Sequence, residues 1–522
     1  GTSPRARGTG SCRPWRASST GHSHGHTCAI EVRLSSRASK ASAMVAMTAD
    51  MLQRGAALNG DTHGLLRCFA DKCDDPSRTL HVVALGTSIS AGHGVKKSSR
   101  TFAASFAHRI RTVGRAVAVV EHNLGMPGHQ PHAVEHCLSS HLPETPDMVL
   151  VEYAAMPDPV GFERVVRRLL GHPASPAVVI VNLPSFAQGP SPLPKQTAAE
   201  IFARNRTLHA LAEFDAIAAH YGLPTSSLWP AVSSRVLQND SQYQLQDLYL
   251  ESMHPSEAGH DLVGQLLGEL LRQARELGGS AAPGGAGKGA CRPRNATALP
   301  RPYLGKNAHW ANETPAEASC LKGRALGRWI AGSTDWTYAP PDGRRLSKKE
   351  GWVPGRAANS SIHFCAETGT HRSARGTWLV AVVQSHGPEW GSVEAWCSGA
   401  CTDGSRPGKS PPAPRVVHGW NPLLRGQSTP NRASYTVTKS VHFVRESSTG
   451  ERPSDASGGS CRCMLSLRLI EPRMGRAPYY ANATLEPRVH GRTFKLVGLA
   501  LADGRYDADS LRMPTRMRRS RS

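Results

Sequence analysis

Four short apolar runs rich in β-branched residues alternate with stretches of helical periodicity in the first half of the chain. The runs are residues 80–85, 116–120, 148–153 and 177–181. Near-continuous apolar runs of this length are typical of strands buried on both faces of a parallel sheet. Helical periodicity covers residues 101–113, 162–170, 198–221 and 255–277. This order predicts a doubly wound, three-layer α/β domain with right-handed crossovers. In such a domain, the catalytic and binding residues lie at the carboxyl ends of the strands.

The pattern changes after residue 290 to runs of period two that are separated by Gly, Pro and Ser. These runs are residues 361–365, 377–384, 392–397, 435–444, 461–470 and 493–501. No long helical periodicity accompanies them, so the pattern predicts an all-β sandwich or jelly-roll domain. Eight of the ten Trp residues lie in this part of the chain, where they serve either as core or as an exposed surface for sugars.

Composition divides the 522 residues into five parts. Residues 1–78 are rich in Arg, Ser, Gly and Ala and are predicted to be a disordered or targeting leader. The α/β domain covers residues 79–277, and a Gly-rich stretch at 278–290 (GGSAAPGGAGKGA from 278) is predicted to be a linker. A β-rich accessory domain at 291–505 and a basic tail at 506–522 complete the chain.

The formal net charge of +22 is concentrated in one region. Residues 79–280 hold 15 basic and 17 acidic residues, whereas residues 291–522 hold 35 and 17. The excess suits contact of the accessory domain with an anionic polysaccharide or surface. No nucleic-acid-binding motif accompanies the charge, and no apolar run reaches the length of a transmembrane helix, so neither a specific nucleic-acid partner nor a membrane span is expected.

The chain holds twelve Cys and six N-x-S/T sequons, which together favour a glycoprotein of the secretory pathway or the extracellular space. Targeting to an organelle through the leader is the alternative. Zinc is the rival use of the cysteines, but Cys397/Cys401 and Cys461/Cys463 lack the paired C-x-x-C spacing of zinc sites. Disulfides are therefore favoured, and no metal or cofactor is expected.

Candidate chemistry appears where the first predicted strand ends and where the last predicted helix begins. Residues 86–92 (GTSISAG) place Ser88 on a tight turn among small neighbours, where its hydroxyl is exposed and its own N–H is free to bind an oxyanion. The other interpretation is a Gly/Ser turn that caps the next helix. Glu251 precedes His254 by three residues and can fix the tautomer of its imidazole. The chain thus holds a nucleophile, a base and an acid.

These residues resemble the blocks of the SGNH hydrolases, also called GDSL-type esterases and lipases, and in particular the plant and green-algal members with a β-rich C-terminal extension. The block G-D-S-x-S-x-G appears as residues 86–92, the Gly of the second block falls on Gly125, and D-x-x-H-P falls on residues 251–255. The resemblance covers residues 79–276. It implies that Ser88 is the nucleophile, His254 the base and Glu251 its orienting acid, with the N–H groups of Ser88 and Gly125 binding the oxyanion.

The activity that the resemblance implies is hydrolysis of an O-acyl ester, such as the acetyl groups of a polysaccharide, through an acyl-enzyme and without a cofactor. An O-acyltransferase that uses the same residues and a catalytically impaired glycan-binding protein are the alternatives. The second alternative is motivated by Met156, which falls where the third block, G-x-N-D, has an Asn that donates to the oxyanion. A thioether cannot donate a hydrogen bond, and loss of one such donor costs about 10²- to 10³-fold in rate.

Three further positions leave alternatives open. Asn182, at the end of the fourth predicted strand, is a candidate replacement for the missing donor, against a role in closing the strand-to-loop turn. Asp247 is the reserve candidate for the acid. Thr87 replaces the Asp of the first block, a position that mainly supports the turn.

Overall fold

A computed structural model of the protein describes most of the α/β domain and the strands of the C-terminal domain. The described residues are 46–59, 63–113, 118–156, 158–185, 206–251, 253–279, 299–304, 319–340, 351–355, 359–365, 375–384, 391–399, 401–403, 414–418, 435–445, 463–470 and 494–503. The predicted linker beyond residue 279 and the basic tail at 506–522 lie outside them.

The first domain is built on a six-stranded sheet with the order β1-β6-β5-β4-β2-β3. Its strands are β1 (Ala56–Ala57), β2 (Thr79–Gly86), β3 (Ala118–Gly125), β4 (Met148–Glu152), β5 (Ala177–Asn182) and β6 (Thr225–Ser227). Strands β2 to β6 pair in parallel, and β1 adds an antiparallel edge. The predicted doubly wound α/β architecture is confirmed.

Helices cover both faces of this sheet. They are α1 (Ala49–Gly55), α2 (His63–Cys73), α3 (Phe102–Val113), α4 (Leu138–His141), α5 (Pro159–Leu170), α6 (Arg206–His220), α7 (Leu228–Leu237), α8 (Leu245–Leu248) and α9 (Glu257–Gly279). Alternate residues of β2 face opposite sides: Val82 packs with α1, α2, α3 and α9, whereas Val83 packs with α4, α5 and α6. This two-sided burial explains the unbroken apolar runs of the strands.

The structure differs from the sequence analysis in the stretch assigned to the leader. Helices α1 and α2 lie within residues 1–78, and Met51 and Phe69 are buried in the core beside the sheet. Thr48 caps α1 by accepting a hydrogen bond from the Met51 N–H. Residues 49–59 and 63–78 therefore belong to the folded domain. Their few apolar positions, spaced between charged residues, suffice for short helices that cover one face of the sheet.

The second domain consists of two antiparallel sheets. Its strands are β7 (Ser319–Lys322), β8 (Ile330–Thr334), β9 (Trp336–Ala339), β10 (Gly351–Pro354), β11 (Ser361–Cys365), β12 (Arg375–Gln384), β13 (Ser392–Gly399), β14 (Cys401–Asp403), β15 (Arg415–His418), β16 (Tyr435–Arg445), β17 (Cys463–Leu469) and β18 (Leu496–Asp503). The sheets have the orders β14-β16-β12-β18-β10-β9, with β7 on β18, and β15-β13-β17-β11-β8. One core joins their inner faces and includes Trp336, Trp378 and Phe364, as predicted for a sandwich.

The two domains are covalently linked. A disulfide joins Cys137, just before α4, to Cys320 on β7, across 183 residues of sequence. Leu379 and Ala500, on the outer face of the larger sheet, pack beside it. The sequence favours disulfides over zinc, and Cys68, Cys365 and Cys401 are also disulfide-bonded.

Among the described residues, no cluster of three His, Cys, Asp or Glu side chains is arranged to hold a metal, and no helix is long and apolar enough to span a membrane.

Residues 299–304, which the composition assigned to the accessory domain, pack against the α/β domain. Leu299 and Leu304 contact the core on the α5 and α6 side of the sheet. The buried carboxylate of Glu163 accepts a hydrogen bond of 3.0 Å from the Leu304 N–H. This segment is therefore attached to the first domain before the chain enters the second. Helix α9 ends at Gly279, two residues beyond the predicted boundary at 277, and the boundaries at 290 and 505 stay predictions.

Replacing both Cys137 and Cys320 by Ser should lower the free energy of unfolding by about 3 kcal/mol, because the bridge restricts a long loop of the unfolded chain. Equilibrium denaturation without reductant measures the change. Cys73→Ala, at a buried free thiol of α2, is the control and should cost no more than the loss of one small buried group. Equal stability of the double variant and the wild type would contradict a stabilising role for the bridge.

Candidate active site

The turn that carries Ser88 lies at the carboxyl end of β2, between the ends of β3 and β4. Backbone hydrogen bonds close it, with the His93 N–H donating to the Ser88 carbonyl at 2.9 Å. Gly92 has a φ of +76°, in the region that favours glycine. Thr87 and Ser90 are buried, whereas Ser88 between them is half-buried. The turn thus presents one hydroxyl at the edge of the sheet.

Ser88 meets a histidine that is supplied from the far end of the domain. Its Oγ lies 2.8 Å from Nε2 of His254, which precedes α9. Nδ1 of His254 is hydrogen-bonded to Oε1 of Glu251, and the His254 N–H also donates to that oxygen at 3.2 Å. The three side chains therefore form a continuous series from hydroxyl to carboxylate.

The electrostatics of this series suit a base that is oriented by an anion. Burial raises the pKa of Glu251, but its hydrogen bonds to His254, the charge of that imidazole and the Met253 N–H outweigh burial and hold the pKa below its ordinary value. A carboxylate on Nδ1 keeps the proton on that nitrogen and leaves Nε2 to accept the proton of the hydroxyl. The arrangement can therefore perform nucleophilic catalysis on an acyl group.

The end of β3 packs directly onto the Ser88 turn. A Cβ atom on Gly125 would lie 2.1 Å from the backbone nitrogen of Ala91, so only glycine fits there. The Gly125 N–H, which the resemblance assigns to the oxyanion, donates to Oδ1 of Asn123 at 3.0 Å, and Nδ2 of Asn123 donates to the Ser90 carbonyl at 2.8 Å. In the described part of the chain, the Ser88 N–H has no hydrogen-bond partner.

Among the described residues, the other predicted positions have no side-chain hydrogen bond to this series. Met156 is buried shortly after β4. Nδ2 of Asn182 donates to Oδ1 of Asp215 on α6 at 2.5 Å, and burial raises the pKa of that aspartate to about 6. The carbonyl of Asp247 accepts a hydrogen bond from the Ser256 hydroxyl. Asn182 thus anchors α6 to the sheet in this structure, and the carboxylate on His254 is that of Glu251.

Two further histidines interact with His254, His93 through its ring and His260 through charge. The ring of His93 lies 4.3 Å from that of His254, centroid to centroid. Nδ1 of His260 accepts a hydrogen bond of 3.1 Å from the Phe102 N–H, and the two rings are stacked. Burial, and then the charge of His254, lowers the pKa of His260 to about 4, so it is a neutral acceptor that joins α9 to α3.

Sequence reasoning missed Glu152, the last residue of β4. Its side chain is fully buried beneath the Ser88 turn, and Oε2 accepts hydrogen bonds from both the N–H and the hydroxyl of Thr87 and of Ser90. Burial raises the pKa of Glu152, whereas these hydrogen bonds lower it, and the net shift is upward. The available signal was an acidic residue that ends an otherwise apolar strand.

Comparison with known proteins shows the fold of the chain. No protein-family model matches the sequence, and no curated protein matches it. Two crystal structures of a two-domain esterase (CEX) active on acetylated mannans, one co-crystallised with mannopentaose, are similar over 87% of this chain and 99% of theirs. The TM-score is 0.52 and the sequence identity 15% for both. A lipase/acylhydrolase from Enterococcus faecalis, 20% identical, matches 38% of this chain and 96% of its own with a TM-score of 0.28.

Substituting Gly125→Ala should lower the free energy of unfolding by about 3 kcal/mol and reduce the reactivity of Ser88, because the new methyl group displaces the turn. Gly268→Ala is the matched control, since a Cβ there would lie 3.4 Å from the flexible Arg109 side chain. That control should gain about 0.5–1 kcal/mol from helix propensity within α9. Denaturant titration measures the free energy of unfolding of both variants. An equal change in the two would contradict the close packing of Gly125 against the Ser88 turn.

Proposed function

We propose that this protein is a serine esterase of the SGNH type that hydrolyses an O-acyl ester through an acyl-enzyme on Ser88. The supporting observation is the series of hydrogen bonds from Ser88 through His254 to Glu251 at the carboxyl edge of the sheet. Three residue types in this order provide a nucleophile, a general base and an orienting anion. Membership of the plant and green-algal group stays a prediction.

In the first half of the reaction, Oγ of Ser88 attacks the acyl carbon while Nε2 of His254 takes the hydroxyl proton. The oxyanion that forms accepts hydrogen bonds from the N–H groups of Ser88 and Gly125, the latter after it leaves Asn123. The C–O bond to the alcohol then breaks, and the protonated His254 gives its proton to the departing oxygen. Glu251 stabilises the imidazolium through Nδ1.

In the second half, water attacks the acyl-enzyme and His254 accepts one of its protons. Collapse of the second tetrahedral intermediate breaks the bond to Ser88, whose oxygen regains the proton from His254. The products are the free acid and the original enzyme. If a sugar hydroxyl replaces water, the same residues perform acyl transfer, which is the alternative within this reaction class.

Acetyl groups on a polysaccharide are the substrate that we propose. The support is the two-domain architecture, which this chain shares with an esterase active on acetylated mannans, together with the excess of basic residues over the accessory domain and tail at 291–522. Disulfides within the described residues support folding in an oxidising compartment such as the secretory pathway. A polysaccharide outside the cell fits that location.

A glycan-binding protein with an impaired hydrolase domain is the second candidate. It is favoured by Met156 at the place of an oxyanion donor and by the hydrogen bond that occupies the Gly125 N–H. The two candidates differ in turnover at Ser88.

Ser88→Ala should reduce hydrolysis of p-nitrophenyl acetate by the full chain by about 10³-fold or more, because no other hydroxyl replaces the nucleophile. Ser99→Ala, at an exposed position shortly after the turn, is the control and should leave the rate unchanged. Absence of turnover in the wild type, combined with binding of an acetylated glucomannan, would replace the esterase proposal by the binding protein. Acetylation of an added oligosaccharide in place of acetate release would identify the transferase.

Met156→Asn should increase kcat for the same ester by about 10- to 100-fold with little change in KM, because an amide N–H at this position restores a donor that acts mainly in the transition state. Met156→Leu keeps the apolar volume without a donor and should leave kcat unchanged. Steady-state kinetics on the two variants separate the effects. An equal response of the Asn and Leu variants would show that the position lies outside the oxyanion site.

A further inference from the structure

The buried carboxylate of Glu152 directs all its hydrogen bonds toward the turn that carries Ser88. Oε2 lies 3.1 Å from the Thr87 nitrogen and 2.8 Å from its hydroxyl, and 3.3 Å and 3.2 Å from the nitrogen and hydroxyl of Ser90. Oε1 is buried and has no hydrogen-bond partner among the described residues. Among the described residues, the Glu152 side chain is therefore hydrogen-bonded to the Ser88 turn and to nothing else.

The four donors belong to the residues that flank Ser88 in the turn. The Thr87 hydroxyl, which donates to Glu152, also accepts a hydrogen bond of 3.2 Å from the Ile89 N–H. Glu152 therefore constrains the backbone of residue 87 and residue 90 directly and that of residue 89 through Thr87. Because Ser88 lies between these points, its φ and ψ angles and the direction of its N–H are determined by them.

Close packing leaves this turn little room to relax. A Cβ on Gly86 would lie 2.3 Å from the Glu152 carbonyl oxygen and 2.3 Å from the Ser90 hydroxyl. A buried acceptor of this kind is costly to remove, because the donors are then left unpaired. Buried hydrogen bonds of this kind make the backbone that they join more rigid.

We infer that Glu152 is a positioning residue for the nucleophile: it holds the turn so that Oγ of Ser88 reaches His254 while the Ser88 N–H points at the forming oxyanion. It contacts neither substrate nor reacting atoms. The inference rests on the proposed function, since positioning matters only if Ser88 reacts. Displacement of a reacting group by about 1 Å can cost about 10²-fold in rate, which sets the size of the effect.

Glu152→Gln preserves the shape of the side chain, but its N–H₂ group is then buried either against the four donors or at the position of Oε1, which has no hydrogen-bond partner among the described residues. We expect kcat for p-nitrophenyl acetate to fall by about 10²-fold with KM changed by less than about threefold. Rates are expressed per site labelled by a fluorophosphonate, so that loss of folded protein does not count as loss of catalysis. Asp215→Asn, at a half-buried carboxylate that accepts a hydrogen bond from Asn182, is the control and should leave kcat unchanged.

A second variant tests whether the carboxylate itself is the requirement. Thr87→Asp in the Glu152→Gln background places a carboxylate where the Thr87 hydroxyl already accepts from the Ile89 N–H. We expect this double variant to recover at least about tenfold of the lost kcat. Recovery supports positioning, because a chain that is merely destabilised gains nothing from a second buried substitution.

The outcomes separate this inference from the esterase proposal. If Ser88→Ala abolishes turnover while Glu152→Gln retains wild-type kcat per labelled site, the positioning role is overturned and the esterase stands. If Ser88→Ala leaves turnover unchanged, the esterase proposal fails. Amide hydrogen exchange across residues 87–91 then tests whether Glu152 holds the turn. Faster exchange in Glu152→Gln supports a carboxylate that holds the turn, and unchanged exchange overturns it.

Discussion

The approach of three strand ends to one turn is the constraint on which the rest of the site depends. Parallel pairing brings the carboxyl ends of β2, β3 and β4 to the same edge, and the turn after β2 occupies the space between its neighbours. Gly125 allows the end of β3 to pack closely against the turn on one side. On the other side, Oε2 of Glu152 accepts hydrogen bonds from the turn. No side chain larger than hydrogen fits at Gly86 or Gly125 without displacing backbone. The turn is consequently held by sterics and by buried hydrogen bonds at once.

The second half of the site depends on how α9 packs. Asp261 on this helix accepts a hydrogen bond of 2.6 Å from Ser105 on α3 and forms a salt bridge of 3.1 Å with Arg109. Gly264 lets the two helices come close, since a Cβ there would meet the Ser105 side chain at 2.4 Å. Together with the stacking of His260 on Phe102, these contacts set the start of the helix, and so the loop that carries His254. Helix packing thereby fixes the distance between residues that are 166 positions apart.

The antiparallel sandwich is joined to the α/β domain by more than the connecting chain. The Cys137–Cys320 bridge and the docked segment at 299–304 attach the larger sheet and the start of the second domain to helices of the first. These two attachments restrain the sandwich relative to the α/β domain, whereas a domain on a free tether samples many orientations.

The sequence by itself determined the four buried strands β2 to β5, the two kinds of domain and the candidate triad, because buried parallel strands need unbroken apolar runs and because Ser88, Glu251 and His254 stand in recognisable short motifs. It did not reveal α1 and α2, whose burial depends on a sheet formed later in the chain. Only the tertiary structure decided that Asn182 pairs with Asp215, that Asn123 binds the Gly125 N–H, and that Glu152 lies beneath Ser88. The physical reason is that a hydrogen bond between residues 62 or 65 positions apart leaves no periodicity in either segment; it exists only once the strands have been brought together.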